Sequence, residues 1–240
     1  MDQAVMTALF NNVAILLVLA VVFDAAYFLP FKRSWTRQIF SGLMISMISI
    51  AIMNIPFTLQ SGIIYDTRSI LISVTALVFG PLPTAMVVVT TAIFRVSIGG
   101  IGTLQGLGVI LTSALIGLAW RRWIYPKTTK WKWVSVLLMS IAVHVAMLAC
   151  TLLIPYPESR DVLNMIALPV LFIFPVVTVL LCNLLMRQQA FRNEHAQLAQ
   201  SEARFKMAYQ NYQLLFQEME DAFTLNEILL DDQGKPVDYR

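Results

Sequence analysis

Two arginines, one carboxylate and a short run of glycines hold most of the chemistry this chain offers. Arg68 and Arg95 flank the turn Gly80-Pro81-Leu82-Pro83, 14 residues before Leu82 and 13 residues after it. In two antiparallel helices of equal rise, both guanidiniums reach nearly the same depth, close to one face of the hairpin. Asp66 lies beside the first arginine, and Asn54, Gly99, Gly100, Gly102 and Gln105 fall at a similar level. A guanidinium matches a carboxylate through paired hydrogen bonds. Glycines allow close backbone approach and leave amide N–H groups free for an anion. A helix opening after Gly102 adds its positive end. The set predicts a pocket for a small organic anion.

The same residues admit a structural use. Asp66 can neutralise Arg68 or Arg95 in an ion pair, and an arginine near a helix end can snorkel to headgroups. Gly102-x-x-x-Gly106 is also a small-residue packing pattern. Arg95 costs roughly 3 kcal/mol inside a membrane segment, so it needs a partner or water in either reading.

The elements that must position these groups are membrane helices. Hydrophobic residues make up 58% of the 240 and charged residues 13%, about half the share usual in soluble proteins. Mean hydropathy is +0.71. Seven apolar stretches read as spans, at about 5–23, 39–57, 63–80, 84–98, 104–120, 133–154 and 164–186, against the ~20 residues that cross a bilayer core. Basic residues sort between alternate connections. Lys32, Arg33 and Arg37 follow the first span; Arg121, Arg122, Lys127, Lys130 and Lys132 follow the fifth; Arg187 and Arg192 follow the seventh. The other connections carry Arg68 and Arg160, with Arg95 just inside the fourth span. The positive-inside rule then places the N-terminus outside and the C-terminal segment in the cytoplasm. Trp120, Trp123, Trp131 and Trp133 flank the largest basic loop, which is an interfacial aromatic belt and no platform for nucleic acid. Met1 to Thr7 lacks the basic start of a cleavable signal peptide.

After Arg187 the composition turns polar. Gln188 to Asp221 contains neither Pro nor Gly and reads as one long helix. Phe191, Leu198, Phe205, Tyr212 and Met219 recur every seven residues, with Glu194, Ser201, Ala208, Leu215 and Ala222 at the d-like positions. A stripe of that period predicts a parallel homodimer through a two-stranded coiled coil. A single helix packing on a following domain is the alternative. Thr224 to Leu230 then reads as a strand, Asp231 to Lys235 as a turn and Pro236 to Arg240 as a second strand. A lone hairpin is barely stable in water, so the chain is expected to end inside a domain.

Other chemistry is thin. Cys150 and Cys182 sit in apolar runs without metal-ligand spacing and read as buried thiols. His144 reads as a histidine hydrogen-bonded between helices, and His195 has no partner at phosphoacceptor spacing. Asp24 closes the first span and faces headgroups or Arg33. No catalytic residue, metal site or cofactor is expected. The seventh span has no lysine for a Schiff base, which excludes a retinal-type receptor. A small-solute transporter is the alternative function, although neither inverted repeats nor broken helices show in the sequence.

Several motifs occur in order: Asn54-x-Pro56-Phe57, Asp66-Thr67-Arg68, Phe79-Gly80-Pro81, Arg95-x-x-x-Gly99-Gly100-x-Gly102, then Gly106 and Gly117 ahead of Arg121-Arg122. Over about residues 30 to 190 the chain resembles the LytS/YhcK-type five-transmembrane receptor family. The resemblance implies a bacterial inner-membrane sensor joined to a histidine kinase or diguanylate cyclase output. Some members are tied to cell-wall regulation or to sensing small carboxylates such as pyruvate. Ser201-Glu202-Ala203-Arg204-Phe205, Phe216-x-x-Met219-x-Asp221-Ala222-Phe223 and Asp232-x-Gly234-x-Pro236-Val237-Asp238-Tyr239 resemble the entry to a PAS domain. No motif of a kinase or cyclase domain occurs, so the resemblance lends this chain no enzymatic activity of its own.

The expected fold is therefore an all-α polytopic membrane protein of about seven transmembrane helices. A cytoplasmic coiled-coil helix and an incomplete, α/β PAS-like start follow. The divisions are a first transmembrane helix at 1–29, a receptor domain at 30–190, a signalling helix at 191–220 and the PAS start at 221–240. Its expected partners are the lipid bilayer, a second copy of the chain, a small carboxylate ligand and a downstream response regulator or output domain.

Overall fold

The computed structural model describes residues 3–28, 33–55, 57–60, 63–128, 131–218, 228–230 and 233–239. The chain divides into two compact units, Met1–Ala190 and Phe191–Arg240.

In the first unit, α1 (Gln3–Phe28) and α2 (Ser34–Asn54) precede a short antiparallel hairpin, β1 (Phe57–Gln60) with β2 (Ile63–Tyr65). Then come α3 (Arg68–Val78), α4 (Pro81–Ile98), α5 (Thr103–Ala119) and α6 (Lys132–Thr151). The helix α7 (Glu158–Glu218) contributes its residues up to 190 to this unit. Five helices are long and apolar enough to cross a membrane: Ser34–Asn54, Pro81–Ile98, Thr103–Lys127, Lys132–Thr151 and Glu158–Phe216. The apolar helical stretches Ala14–Ala26 and Arg68–Val78 are shorter.

That count differs from the seven spans expected, and α3 shows why. The stretch read as a span at 63–80 opens as a strand, with Phe57 facing Tyr65 and Thr58 facing Ile64 across the hairpin. Helix begins only at Arg68 and lasts 11 residues, about 16 Å at 1.5 Å per residue. A half-length helix among lipids would strand its terminal backbone groups in hydrocarbon. Here protein encloses it: every residue from Arg68 to Leu77 is buried.

Small residues permit that enclosure. A Cβ on Gly117 of α5 would lie 2.7 Å from Ala76 Cβ and 2.8 Å from the Ser73 carbonyl oxygen of α3. Gly42 of α2 similarly admits Met86 of α4, and Ser49 and Thr91 join those two helices through their hydroxyls at 2.8 Å. At the far end of α3, Arg121 donates from Nη1 to the carbonyls of Leu77 and of Val78, the latter at 2.9 Å. A cation there satisfies carbonyls that the helix leaves open and sits at its negative end. The turn to α4 needs Gly80, whose φ of 95° suits glycine, and Pro81 and Pro83 start the next helix.

His144 is fully buried in α6. Its Nδ1 lies 2.7 Å from the Ser140 carbonyl oxygen, its Nε2 3.4 Å from Ser69 Oγ of α3, and its ring meets Phe174 of α7 edge-on at 5.2 Å. The expected role between helices matches this geometry. Further along α7, Met186 Sδ accepts from the Tyr125 hydroxyl at 3.1 Å, and Gln188 Nε2 donates to Asp24 at 3.3 Å.

The second unit holds the remainder of α7 and the antiparallel pair β3 (Ile228–Leu230) with β4 (Pro236–Tyr239). The last span and the polar helix, read as separate segments, belong to one 61-residue helix. Phe191, Leu198, Phe205 and Tyr212 are all exposed on it. Met219, the fifth residue of that stripe, lies outside the described residues, as do Pro56, Asp221, Ala222 and Phe223. His195 packs edge-on against Phe191 at 4.3 Å.

Candidate ligand site

The site gathers at the start of α3. Asp66 precedes the helix, and its Oδ1 accepts the Arg68 backbone N–H at 2.9 Å and the Arg68 Nε at 3.2 Å. A carboxylate is at home at that positive helix end. Both side chains are almost completely buried, at 0% and 4% exposure. Arg68 Nη1 points toward the sulfur of Met53 on α2, 3.9 Å away.

Arg95 comes from the last turn of α4 and is 0% exposed. Its Nη1 donates to the carbonyl of Gly99 at 2.9 Å. That carbonyl is available because the chain leaves α4 through Gly99 and Gly100, with φ of 70° and 88°. A side chain is strained in that region, and glycine is not. Gly102 and Thr103 then open α5, and Gly106 one turn later makes room for the guanidinium. A Cβ there would lie 2.6 Å from Arg95 Nε. Arg95 is within electrostatic reach of both Arg68 and Asp66.

A third wall comes from α5 and α6. Gln105 Nε2 reaches the Tyr65 hydroxyl at 3.5 Å, and that hydroxyl lies 2.9 Å from Thr151 Oγ1. Buried polar atoms of this cluster without a hydrogen-bond partner among the described residues include Asp66 Oδ2, Thr67 Oγ1 and Gln105 Oε1. Buried polar atoms in native proteins are nearly always partnered, by protein or by ordered water.

Of the residues singled out in the sequence, Asp66, Arg68, Arg95, Gly102 and Gln105 are buried. Gly99 is half-buried, while Gly100 is exposed. Asn54 is not brought into the cluster. It is exposed at the end of α2, and its Nδ2 donates to the Ile50 carbonyl of its own helix at 2.8 Å. By helical rise Arg68 stands about 15 Å from Val78 and Arg95 about 21 Å from Pro81, and both arginines are buried. Tyr65 and Thr151 were not anticipated. Tyr65 adjoins Asp66-Thr67-Arg68 and was within reach of inspection, but nothing near Thr151 in sequence points to it.

The Tyr65 hydroxyl ties the hairpin to α6, so Tyr65→Phe should lower stability in detergent by about 1 kcal/mol. Thermal unfolding followed by circular dichroism checks this. A larger loss would mean the hydroxyl also holds the hairpin itself.

The family model described as 5TMR of 5TMR-LYT matches residues 21–188, more than half of the chain. The chain belongs to this family. The 5TMR-LYT family is a membrane sensor module of signalling proteins, and the matched range holds every residue of the buried cluster. It also holds all of α2 to α6 and ends inside α7. As a 5TMR-LYT module this is a multi-pass membrane protein. Neither a curated protein nor a solved structure matches the chain.

Proposed function

We propose that this module is a receptor for a small carboxylate, bound between Arg68 and Arg95 and reported through α7 to an output domain. One observation carries the reading. Among the described residues the buried charged side chains are Asp66, Arg68 and Arg95, and Arg95 lies within electrostatic reach of the other two. Buried guanidiniums hold a carboxylate through charge-assisted, paired hydrogen bonds. The open atoms Asp66 Oδ2 and Gln105 Oε1 support a ligand that also brings, or orders, hydrogen-bond donors.

In this reading all seven helices lie in a bacterial inner membrane, with the site reached from outside and the C-terminal unit in the cytoplasm. The basic connections favour that orientation by the positive-inside rule. The exposed stripe Phe191, Leu198, Phe205 and Tyr212 supports a parallel homodimer, and the β3–β4 hairpin fits the opening of a PAS domain. A histidine kinase or diguanylate cyclase would read the state of α7 and pass it to a response regulator. A link to cell-wall regulation would follow from that output. The ligand biases the output by its different affinity for two arrangements of the helices.

The direct test is calorimetric titration of a panel of small carboxylates, pyruvate among them, into detergent-solubilised protein. Saturable binding that Arg68→Ala removes, in a variant that still elutes as folded protein, is the expected result. No binding across the panel would return both arginines to a structural role.

A transporter is the second reading, and one observation favours it. The N-terminus of a half-length helix meets the arginines, a device that transporters use at their substrate sites. Uptake of the bound carboxylate into proteoliposomes would establish transport; binding without uptake supports the receptor.

A further inference from the structure

At the opposite end of α3 from the arginine pair, two open cavities meet around Arg121. One, of about 200 Å³, is polar and lined by Arg37, Gln38, Ser41, Arg121 and Gln189 among others. The other, of about 310 Å³, is mainly apolar and lined by Leu77, Tyr125, Pro126 and Met186. They share Val78, Arg121 and Gln189. A polar chamber that shares a wall with an apolar one fits a ligand with a charged end and a greasy end.

The surroundings say where such a ligand would come from. Trp35 at the start of α2 and Trp123 in the π-helical turn Trp120–Ile124 are exposed at this end, as are Trp131 and Trp133 at the start of α6. Exposed tryptophans in a membrane protein mark the headgroup level. Arg33, Arg37, Arg121 and Arg122 bring positive charge there. An acidic group, Asp24, also lies at this end and accepts a hydrogen bond from Gln188. Basic pockets between membrane helices at headgroup level bind anionic lipids.

We propose that the paired cavities bind one anionic phospholipid. Its phosphodiester lies in the polar chamber between Arg37 and Arg121, and its glycerol and first acyl carbons lie in the apolar one. Gln38, Ser41 and Gln189 supply neutral polar groups to the phosphate oxygens. Because Gln189 belongs to α7 and Arg121 caps α3, one lipid touches α2, the end of α3 and α7 together.

Native mass spectrometry of the full chain in detergent, titrated with phosphatidylglycerol and with phosphatidylcholine, tests this. One phosphatidylglycerol should bind saturably and roughly tenfold tighter than phosphatidylcholine, whose phosphodiester is the same but whose choline cation is repelled by the arginines around the chamber. Gln38→Glu places a negative charge in the polar chamber. Gln38 is half-buried and makes a long side-chain hydrogen bond to Ser34, at 3.4 Å, so the fold should survive while lipid affinity falls by a similar factor. Arg37→Gln should weaken binding likewise, and Arg160→Gln, at the other end of the bundle, should not. Equal affinity for both lipids, or no effect of either cavity variant, overturns the proposal. So does glycerol phosphate binding as tightly as the whole lipid, since the site would then belong to a soluble phosphate.

Discussion

Arg95→Ala should abolish carboxylate binding, by about a hundredfold or more, while the protein still accumulates in the membrane. The magnitude follows from burial. Arg95 is 0% exposed, and a charge-assisted hydrogen bond lost from a dry site is worth about 3 kcal/mol, which is more than a hundredfold in affinity. Removing the guanidinium also takes one positive charge from beside the Asp66–Arg68 pair. Arg95→Lys should not restore binding. An ammonium lacks the flat fork that can hold the Gly99 carbonyl and a carboxylate together. It would also leave unfilled the space that Gly106 keeps open beside the guanidinium. Calorimetry together with size-exclusion profiles separates the outcomes. Lost binding with a native elution profile supports the receptor site, whereas aggregation of Arg95→Ala would show that the arginine holds the helices together.

Gly117→Val should have the largest effect on folding. Even the first added carbon would fall 2.7 Å from Ala76 Cβ and 2.8 Å from the Ser73 carbonyl oxygen. The oxygen is backbone in a helix buried along its length, so neither wall can yield as a flexible side chain would. Overpacking of this kind costs about 3 kcal/mol, a large part of a typical domain's stability. Gly108→Ala is the matched control. Its Cβ meets the Cys150 sulfur at 3.1 Å, a contact that a small rotation relieves. Thermal unfolding in detergent should show a much lower midpoint for Gly117→Val and a small shift for Gly108→Ala. Comparable shifts would mean that α3 can move away from α5.

Helices that stand alone in hydropathy were legible from the sequence. The stretches read at 84–98, 104–120 and 133–154 correspond to Pro81–Ile98, Thr103–Ala119 and Lys132–Thr151. Gly80-Pro81, Gly99-Gly100 and Gly102 set the ends of Pro81–Ile98 and the start of Thr103–Ala119. The α3 segment was not legible, because Ile63 to Tyr65 are apolar enough to extend a span. Only their pairing as a hairpin shows that they do not. The arginine pair was legible from its spacing about the turn, since hairpin geometry converts sequence distance into depth. Asn54 failed to join because depth alone does not fix which face of α2 a residue occupies, and it sits on the exposed one. Thr151 is 86 residues from Tyr65, and no periodicity within either segment can pair residues so far apart.

The shortness of α3 also bears on how the protein is made. Eleven residues with an arginine at the leading end are too few and too polar to partition into a bilayer as they leave the ribosome. The segment has to wait for α4, and the tight turn at Gly80 lets the two enter as one unit. The seat for the buried arginines therefore comes together only after α5 and α6 have closed around that unit. A nascent chain halted between α3 and α4 would present Asp66 and Arg68 to the insertion machinery with nothing to cover them. Quality control acting at that moment would meet these two charges before any partner helix covers them.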